Sequence, residues 1–389
     1  MQYVKGLRCV KCNYLNEPSI LYQCIKCSSS LDVEYYYEEL FENVQSFHSS
    51  GNGIWKYRNL LPVKNDIEPV TLGEGNTPFL KSSSLGKISG VDQAYLKVES
   101  VNPTLSFKDR PLSVALTVSK QFGIEKVTTA STGNTGVAAA AYSARAGTPC
   151  KIYVPKRTPK EKLRMMEIYG AEIQLIDGNF SDAYKIAGEA AIENNWFNLT
   201  STFLNPYAIE GDKTLAYELY EQYGEVPDWI IIPIGAGPLL VSCYKGFKEL
   251  MCAGKVDKLP KMAGVQAENC SPIVRAFDFQ ISEVEPWFEN GKTIASGIAD
   301  PLTSYPNDGT RTLHTIRESG GVAIAVNEEK IKYYQTLLSK EEGIFVEPAS
   351  ITAVAAMESM KDRDLLEKQQ SVVSVVTGHG VKDLDAISS

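Results

Sequence analysis

"KVTTASTGNTGVAAAAYSARAG", residues 126–147, decides the fold class, because it is a strand, a loop and a helix in direct succession. Its first six residues have the β-branched character of a strand, and the alanine-rich part ends at Gly147 as helices commonly end. The loop "ASTGNTG" (130–136) lies between them and is rich in glycine and hydroxyl groups. The stretch therefore predicts a βα unit with a polar loop at the carboxyl end of its strand.

The same alternation extends in both directions along the chain. Strands that alternate with helices indicate parallel βα units, and uninterrupted apolar strands indicate sheets covered on both faces. An α/β fold built from largely parallel sheets is therefore expected. The strand-like segments are "QAYLKVES" (93–100), "CKIYVP" (150–155), "EIQLIDG" (172–178), "DWIIIPIG" (228–235), "KMAGVQAE" (261–268) and "SVVSVVTG" (371–378), and the helix-like segments are 111–122, 158–171, 180–195 and 239–256.

Composition limits the possible classes of function. The 389 residues are 43% hydrophobic and 22% charged, which is the balance of a globular protein with room for two ordinary domains. A net charge of −8 argues against general attraction to nucleic acid or to an anionic membrane. No apolar run approaches the ~20 residues that span a bilayer, and the start shows no secretory signal. A cytoplasmic protein is expected.

Four of the eight cysteines form a regular pattern, C-x2-C-x11-C-x2-C, at Cys9, Cys12, Cys24 and Cys27. Each CxxC turn directs two thiolates at one point, and four thiolates complete the tetrahedral shell that zinc prefers. A redox dithiol would need only one pair, and cysteines that bind nothing are the other alternative. We predict structural zinc in a small N-terminal ribbon.

Two further loops resemble the one at 130–136, namely "PIGAGPLL" (233–240) and "VVTGHGVKD" (375–383), and both follow a predicted strand. Glycine lets the backbone approach a ligand closely, and unpaired amides before a helix bind anions. "PIGAGPLL" lacks the second spacing of the dinucleotide fingerprint, so nothing indicates nicotinamide.

A lysine stands before a predicted helix in "ESVNPTLSFKDRPLSVAL" (99–116). Taken alone, Lys108 has two interpretations, a solvated surface charge or an amine placed for chemistry.

Together with these loops, "GEGNTP" (73–78) and "SFKDR" (106–110) occur in the order found in one family. The chain resembles the pyridoxal-phosphate enzymes of the tryptophan-synthase-β superfamily, fold type II, and within them threonine synthase and its paralogues. The resemblance covers essentially the whole chain. It implies two three-layer α/β/α domains with the cofactor bound between them, and the ribbon added at the N-terminus.

The family motifs assign expected roles to individual residues. By resemblance, Lys108 bonds covalently to pyridoxal phosphate and then moves protons on the substrate, and Arg110 assists it or binds substrate. Asn134 is expected to contact the cofactor's 3′ oxygen, and the hydroxyl of Thr377 its pyridine nitrogen. The expected phosphate-binding residues are Gly235, Ala236, Gly237 and Leu239, and the expected substrate-carboxylate residues are Ser131, Thr132, Gly133 and Thr135.

The resemblance also predicts the domains and the reaction. The expected domains are a ribbon at 1–45, a large domain of 46–98 and 205–389, and a small domain of 99–204. The leading reaction is conversion of O-phosphohomoserine to threonine and phosphate, in an enzyme expected to be a homodimer. A basic run, Lys156 to Arg164, is a candidate for gripping the substrate phosphate, although a solvated helix face would look the same.

Departures from the family pattern keep alternatives open. Pro111 replaces a common glycine, the loop at 235–240 is closer to serine/threonine dehydratases, and Pro238 has no amide to donate. The segment after Ala299 also departs. The alternative function is β-elimination or β-replacement on serine, threonine or O-phosphoserine, and a catalytically silent relative is the third interpretation.

Overall fold

The computed structural model describes residues 3–43, 49, 51–158, 160–200, 202–289 and 291–384. The chain forms two compact units: the first comprises Met1–Asn76 and Lys108–Thr214, and the second comprises Thr77–Phe107 and Leu215–Ser389. The boundaries of these units differ from those of the predicted domains. The predicted boundary between residues 45 and 46 lies outside the described residues. That domain scheme stays a prediction.

The secondary structure alternates along most of the chain, as expected. In chain order the strands and helices are β1 (Val4–Cys9), β2 (Leu15–Asn16), β3 (Leu31–Tyr35), α1 (Tyr37–Asn43), β4 (Phe79–Lys81), α2 (Ser83–Ser89), β5 (Gln93–Val98), α3 (Asp109–Gln121), β6 (Val127–Ala130), α4 (Asn134–Ala146), β7 (Cys150–Pro155), α5 (Lys160–Glu167), β8 (Glu172–Ile176), α6 (Phe180–Asn194), β9 (Phe197–Asn198), α7 (Ile209–Asp212), α8 (Thr214–Tyr223), β10 (Trp229–Pro233), α9 (Pro238–Cys252), β11 (Lys261–Ala267), α10 (Pro272–Asp278), α11 (Pro306–Glu318), β12 (Val322–Val326), α12 (Glu328–Glu342), α13 (Pro348–Asp362) and β13 (Ser371–Val376).

The first unit carries two sheets. The N-terminal sheet is antiparallel with the order β2-β1-β3, and alternate residues of β3 are buried, as the ribbon prediction requires. The second sheet has the order β8-β7-β6-β9, and all its pairs are parallel. Parallel strands end at one edge, so the loops after β6 and β7 share that edge.

The second unit is built on a six-stranded sheet with the order β12-β11-β10-β13-β5-β4. Its pairs are parallel except β4 with β5, which is antiparallel and closes one side. Every residue of β10 and β13 is buried, because these central strands are covered on both faces. The sequence analysis did not predict β12 or the antiparallel β4.

Each unit holds a buried charged residue in a polar network. In the second unit, Lys97 on β5 is fully buried and pairs with the fully buried Glu218 at 2.6 Å. Its ammonium group also donates to the Thr77 carbonyl at 2.8 Å. Buried charges are tolerated when they are paired in this way, so Lys97 is a structural lysine.

In the first unit one of the buried acidic residues is Glu74, which belongs to the "GEGNTP" motif. Its carboxylate accepts hydrogen bonds from Trp55 Nε1 at 2.9 Å, the Leu72 N–H at 3.0 Å and the Tyr142 hydroxyl at 2.7 Å. Burial, followed by the carboxylates of Asp109 and Glu74, raises the pKa of Tyr142, so this hydroxyl stays a donor. Glu74 therefore anchors the motif loop.

Candidate active site

The segment before Lys108 is fixed by pairing with the segment after β13. Ser106 and Gly378 form an antiparallel bridge, the Phe107 N–H donates to the Thr377 carbonyl at 2.9 Å, and the His379 N–H donates to the Leu105 carbonyl at 3.0 Å. Leu105 has a φ of +63°, which marks a tight turn just before this pairing. The backbone that enters Lys108 therefore has a defined path.

Lys108 is the N-cap of α3 in helical conformation, with φ −60° and ψ −16°. Its carbonyl accepts from the Leu112 N–H at 3.2 Å, so the helix continues directly from the lysine. The side chain is half-buried, unlike the fully buried Asp109 and Arg110 that follow. A half-buried lysine at a fixed helix start is compatible with the predicted chemical role.

Arg110 occupies a structural position. It is fully buried, and its Nη1 donates to Thr214 Oγ1 at 3.1 Å. A Cβ on Gly211 would lie only 2.3 Å from the Arg110 carbonyl oxygen, so α7 packs tightly on this residue. This placement gives Arg110 a role in packing, and its predicted role toward the substrate stays a prediction.

The turn after β6 is stabilised by the side chain of Ser131. Ser131 Oγ accepts from the N–H groups of Gly133 at 3.3 Å and Gly136 at 3.0 Å. A Cβ on Gly133 would meet nothing within 4 Å, whereas one on Gly136 would lie 2.6 Å from Met166 Cε. The loop thus has a tight inner side at Gly136 and an open side at Gly133, immediately before α4. Ser131, Thr132, Gly133, Asn134 and Thr135 all lie in this one turn.

The loop after β10 points its carbonyl groups into the protein. The Gly235 carbonyl accepts from Gln266 Nε2 at 3.3 Å, and the Ala236 carbonyl accepts from Thr312 Oγ1 at 2.5 Å. Gly237 has a φ of +96°, and a Cβ there would clash with Thr312. Only glycine therefore fits this turn.

The backbone N–H groups of the same loop are available to bind a ligand. Within the described part of the chain, no acceptor contacts the N–H groups of Gly235, Ala236, Gly237 or Leu239. They precede or begin α9, whose dipole adds partial positive charge at this end. Four such amides can hold one anion.

Thr377 directly follows strand β13 and is almost fully buried, at 4% exposure. Its hydroxyl lies 2.9 Å from Ser350 Oγ, and its N–H donates to the same Ser350 oxygen at 3.0 Å. Helix α13 begins at Pro348 with Glu347 as its N-cap, so Ser350 lies within the first turn and faces Thr377.

His379 shapes the loop after Thr377. Its Nδ1 accepts from the Val381 N–H at 3.2 Å, and its ring meets Phe345 edge-on. Burial and the nearby Lys382 lower the pKa of His379, so the imidazole is neutral at pH 7 and able to accept this hydrogen bond.

The four predicted metal-ligating cysteines meet at one point. The sulfur atoms of Cys9, Cys12, Cys24 and Cys27 all lie within 4.8 Å of one another. Burial tends to raise the pKa of Cys24, but hydrogen bonds from the N–H groups of Lys26 and Cys27 and from neighbouring thiols outweigh it and lower the pKa to about 6. Four sulfur donors that meet at one point fit a tetrahedral zinc ion.

Comparison with known proteins identifies the class to which these loops belong. Residues 70–378 match the family model described as pyridoxal-phosphate dependent enzyme. The chain is 38% identical to the threonine synthase of Methanocaldococcus jannaschii over 97% of this chain and 93% of that protein. It is also 38% identical to the threonine synthase of Methanosarcina acetivorans, over 97% and 92% of the two chains. The chain belongs to the pyridoxal-phosphate dependent enzyme family.

Solved structures show the same fold. Maize serine racemase superposes with a TM-score of 0.68 at 21% identity, covering 78% of this chain and 88% of the racemase. Threonine deaminase isoform 2 of Solanum lycopersicum gives 0.65 at 21% identity, covering 78% and 83%. The predicted fold type II architecture, the pyridoxal-phosphate cofactor and the assignment to pyridoxal-phosphate-dependent lyases related to threonine synthase are confirmed. In the described chain, no helix is long and apolar enough to cross a bilayer.

The residues present fit this cofactor. Its phosphate suits the four amides at Gly235–Leu239, and its pyridine ring offers a nitrogen for the Thr377 hydroxyl. Ser106 Oγ is buried and has no hydrogen-bond partner among the described residues, although such groups are normally paired. A polar ligand near the lysine turn would satisfy it.

The site residues fall into two sets according to the unit that carries them. Lys108, Arg110 and the Ser131 turn belong to the first unit, and the Gly235 loop and Thr377 belong to the second. Sequence reasoning missed Ser106, Gln266, Thr312 and Ser350, which shape the turns without standing in their glycine motifs. Only the position of Ser106 within "SFKDR" gave any signal.

Proposed function

We propose that the chain converts O-phosphohomoserine and water to threonine and phosphate. The observation that carries this proposal is the 38% identity to the threonine synthases of Methanocaldococcus jannaschii and Methanosarcina acetivorans over 97% of the chain. The structural neighbours support only the fold, because they are 21% identical to the chain.

Each residue has a proposed task. The bound cofactor withdraws electrons from the substrate Cα. Lys108 Nζ would hold the cofactor at rest and afterwards take protons from Cα and Cβ as phosphate leaves Cγ, and return one of them at Cγ. Water would then give its hydroxyl to Cβ and its remaining proton to the released phosphate, and Lys108 would return the second proton at Cα. The amides of Gly235–Leu239 bind the cofactor phosphate, and Asn134 contacts its 3′ oxygen. The turn Ser131–Thr135, next to the N-terminus of α4, binds the substrate carboxylate.

The substrate phosphate needs a cation, and we propose Arg157. β6 and β7 are parallel neighbours with Ala130 opposite Tyr153, so the segment after β7 shares the edge of the sheet with the Ser131 turn. Lys156 is already paired with Asp177 at 2.8 Å, whereas the exposed Arg157 follows it directly. A guanidinium group matches phosphate geometry.

A second function, β-elimination or β-replacement on serine, threonine or O-phosphoserine, rests on a specific feature. The loop "GAGPLL" has the pattern of dehydratases, and Pro238 contributes no N–H to it.

We also propose that Cys9, Cys12, Cys24 and Cys27 bind one zinc ion of structural type. The ribbon contacts the α/β part of its own unit, where Tyr22 accepts from the Asn198 N–H at 2.7 Å and Tyr207 donates to the Ser19 carbonyl at 2.9 Å. A homodimer in the cytoplasm is the proposed setting.

The substrate panel decides between the two functions. With O-phosphohomoserine, O-phosphoserine, serine and threonine as separate substrates, we expect phosphate and threonine in equal amounts from the first alone. Chromatography with phosphate and keto-acid assays measures every product. Keto acid from serine or threonine would establish a dehydratase, and turnover of O-phosphoserine with inert O-phosphohomoserine would establish the paralogue.

Replacement of Lys108 by alanine should reduce turnover at least about a thousandfold, because no other group is proposed for the proton transfers. Lys120→Ala is the matched control, since it removes an exposed lysine from the other end of the same helix. Circular dichroism should show both variants folded. Undiminished activity of Lys108→Ala would refute the assignment.

Replacement of Arg157 by alanine should raise KM for O-phosphohomoserine about tenfold and change kcat little, because a charged hydrogen bond to the phosphate is lost. Arg164→Ala removes an exposed arginine from α5 and should leave KM unchanged. Steady-state kinetics measures both. A raised KM in Arg164→Ala alone would move the phosphate contact to α5.

Anaerobically purified protein should contain one zinc per chain by metal analysis. Chelation, or Cys24→Ser, should increase hydrogen exchange in residues 3–43 and leave the cofactor absorbance unchanged, because a closed four-thiolate site has no position for substrate. Cys252→Ser, which removes an exposed cysteine outside the cluster, should change neither quantity. Zinc-free protein with the same protection would contradict the proposal.

A further inference from the structure

Ser350 is fully buried at the start of α13, and its hydroxyl makes four polar contacts with one turn. Its Oγ accepts from the Thr377 N–H at 3.0 Å and from the Gly378 N–H at 2.6 Å. The same oxygen lies 2.9 Å from Thr377 Oγ1 and 3.1 Å from the Gly378 carbonyl oxygen. One hydroxyl group therefore has four polar neighbours in two consecutive residues.

The number of lone pairs on the Ser350 oxygen determines how the hydroxyl protons of Ser350 and Thr377 are oriented. A hydroxyl has two acceptor positions and one proton to donate. Both acceptor positions of Ser350 are occupied by the N–H groups of Thr377 and Gly378, because a backbone N–H group can only donate. The Thr377 hydroxyl therefore cannot donate to Ser350, whether Ser350 gives its own proton to Thr377 Oγ1 or to the Gly378 carbonyl.

The hydroxyl proton of Thr377 therefore points away from Ser350. Ser350 is the one hydrogen-bond partner of the Thr377 hydroxyl among the described residues. The neighbouring backbone leaves little freedom, because the Thr377 carbonyl is engaged by the Phe107 N–H and its own N–H by Ser350. Thr377 is held as a donor toward an external acceptor.

We infer that Ser350 is a positioning residue that makes the Thr377 hydroxyl a hydrogen-bond donor, and thereby keeps the cofactor's pyridine nitrogen unprotonated. The inference rests on the proposed placement of Thr377 opposite that nitrogen. A nitrogen that receives a hydrogen bond must offer its lone pair, so it carries no proton of its own. Ser350 acts on the cofactor only through Thr377.

This arrangement controls the reaction specificity. A protonated nitrogen draws more electron density from Cα into the ring and favours delivery of the Cα proton to the cofactor carbon C4′. Water would then hydrolyse the carbon–nitrogen bond and supply the oxygen of the departing keto acid, while the amino group would stay on the cofactor and the Lys108 amine would be left free. No outside oxidant is needed. Ser350 suppresses this loss of the active cofactor form.

Ser350→Ala tests the inference, with Ser374→Ala as the matched control. Ser374 is a fully buried serine on β13 whose hydroxyl donates to the Ala353 carbonyl at 3.1 Å, outside the Thr377 cluster. The holoenzyme is prepared with cofactor labelled with ¹⁵N at the ring nitrogen. Two quantities are measured, the ¹⁵N chemical shift and the amount of amine-form cofactor produced per threonine.

In Ser350→Ala we expect the ¹⁵N signal to move toward that of the protonated ring and the amine form per threonine to rise about tenfold, the effect of one hydrogen bond. Ser374→Ala should match the unaltered enzyme in both. If Ser350→Ala does not fold, Ser350→Cys replaces it, because a thiol keeps the volume and accepts weakly. An unchanged signal and yield in whichever of these variants folds would overturn the inference.

A double-mutant cycle separates positioning from general stabilisation. In the background of Thr377→Val, which removes the hydroxyl but keeps the shape, Ser350→Ala should change neither quantity further. Equal effects in both backgrounds would show that Ser350 does not act through Thr377. If Thr377→Val itself leaves the ¹⁵N signal unchanged, the proposed placement of Thr377 is wrong, and the failure lies in the site assignment.

Discussion

The pairing of residues 105–107 with residues 377–379 is the constraint on which the rest of the site depends. Through it, the strand end that carries Thr377 holds the backbone that leads into Lys108. β5 and β13 are parallel neighbours, so their carboxyl ends lie together and bring these two loops into reach. Thr377 and the residues that immediately precede Lys108 in the chain thus belong to one hydrogen-bonded bridge within the second unit.

In both units, buried hydroxyl groups form hydrogen bonds with the backbone groups of a turn. Ser131 accepts two backbone N–H groups in the turn after β6, and Ser350 accepts two in the turn after β13. At Ala236 the roles are reversed, because the Thr312 hydroxyl donates to the Ala236 carbonyl oxygen. In each case a buried side chain satisfies the backbone groups that point inward. The groups that point outward are then available to a ligand, and the turn needs no help from the ligand to hold its shape.

The sequence predicted the βα alternation and the glycine loops well, because apolar periodicity and glycine spacing are local signals. "CKIYVP" coincides with β7, and the four cysteines meet as their spacing predicted. Strand β12 and the role of Ser350 escaped prediction for a physical reason. A serine that bonds a residue 27 positions away, as Ser350 does with Thr377, looks in sequence like an ordinary helix cap. Arg110 was assigned to substrate by its motif, and its complete burial is a tertiary property.

Lys108, the residue that follows this bridge, is proposed to carry the cofactor. Borohydride reduction of the holoenzyme fixes the cofactor to its lysine, and peptide mass spectrometry then identifies that lysine. We expect the added mass on the peptide that contains Lys108 and on no other. Attachment to a different lysine, such as the buried Lys97 or Lys213, would contradict the proposed role of Lys108.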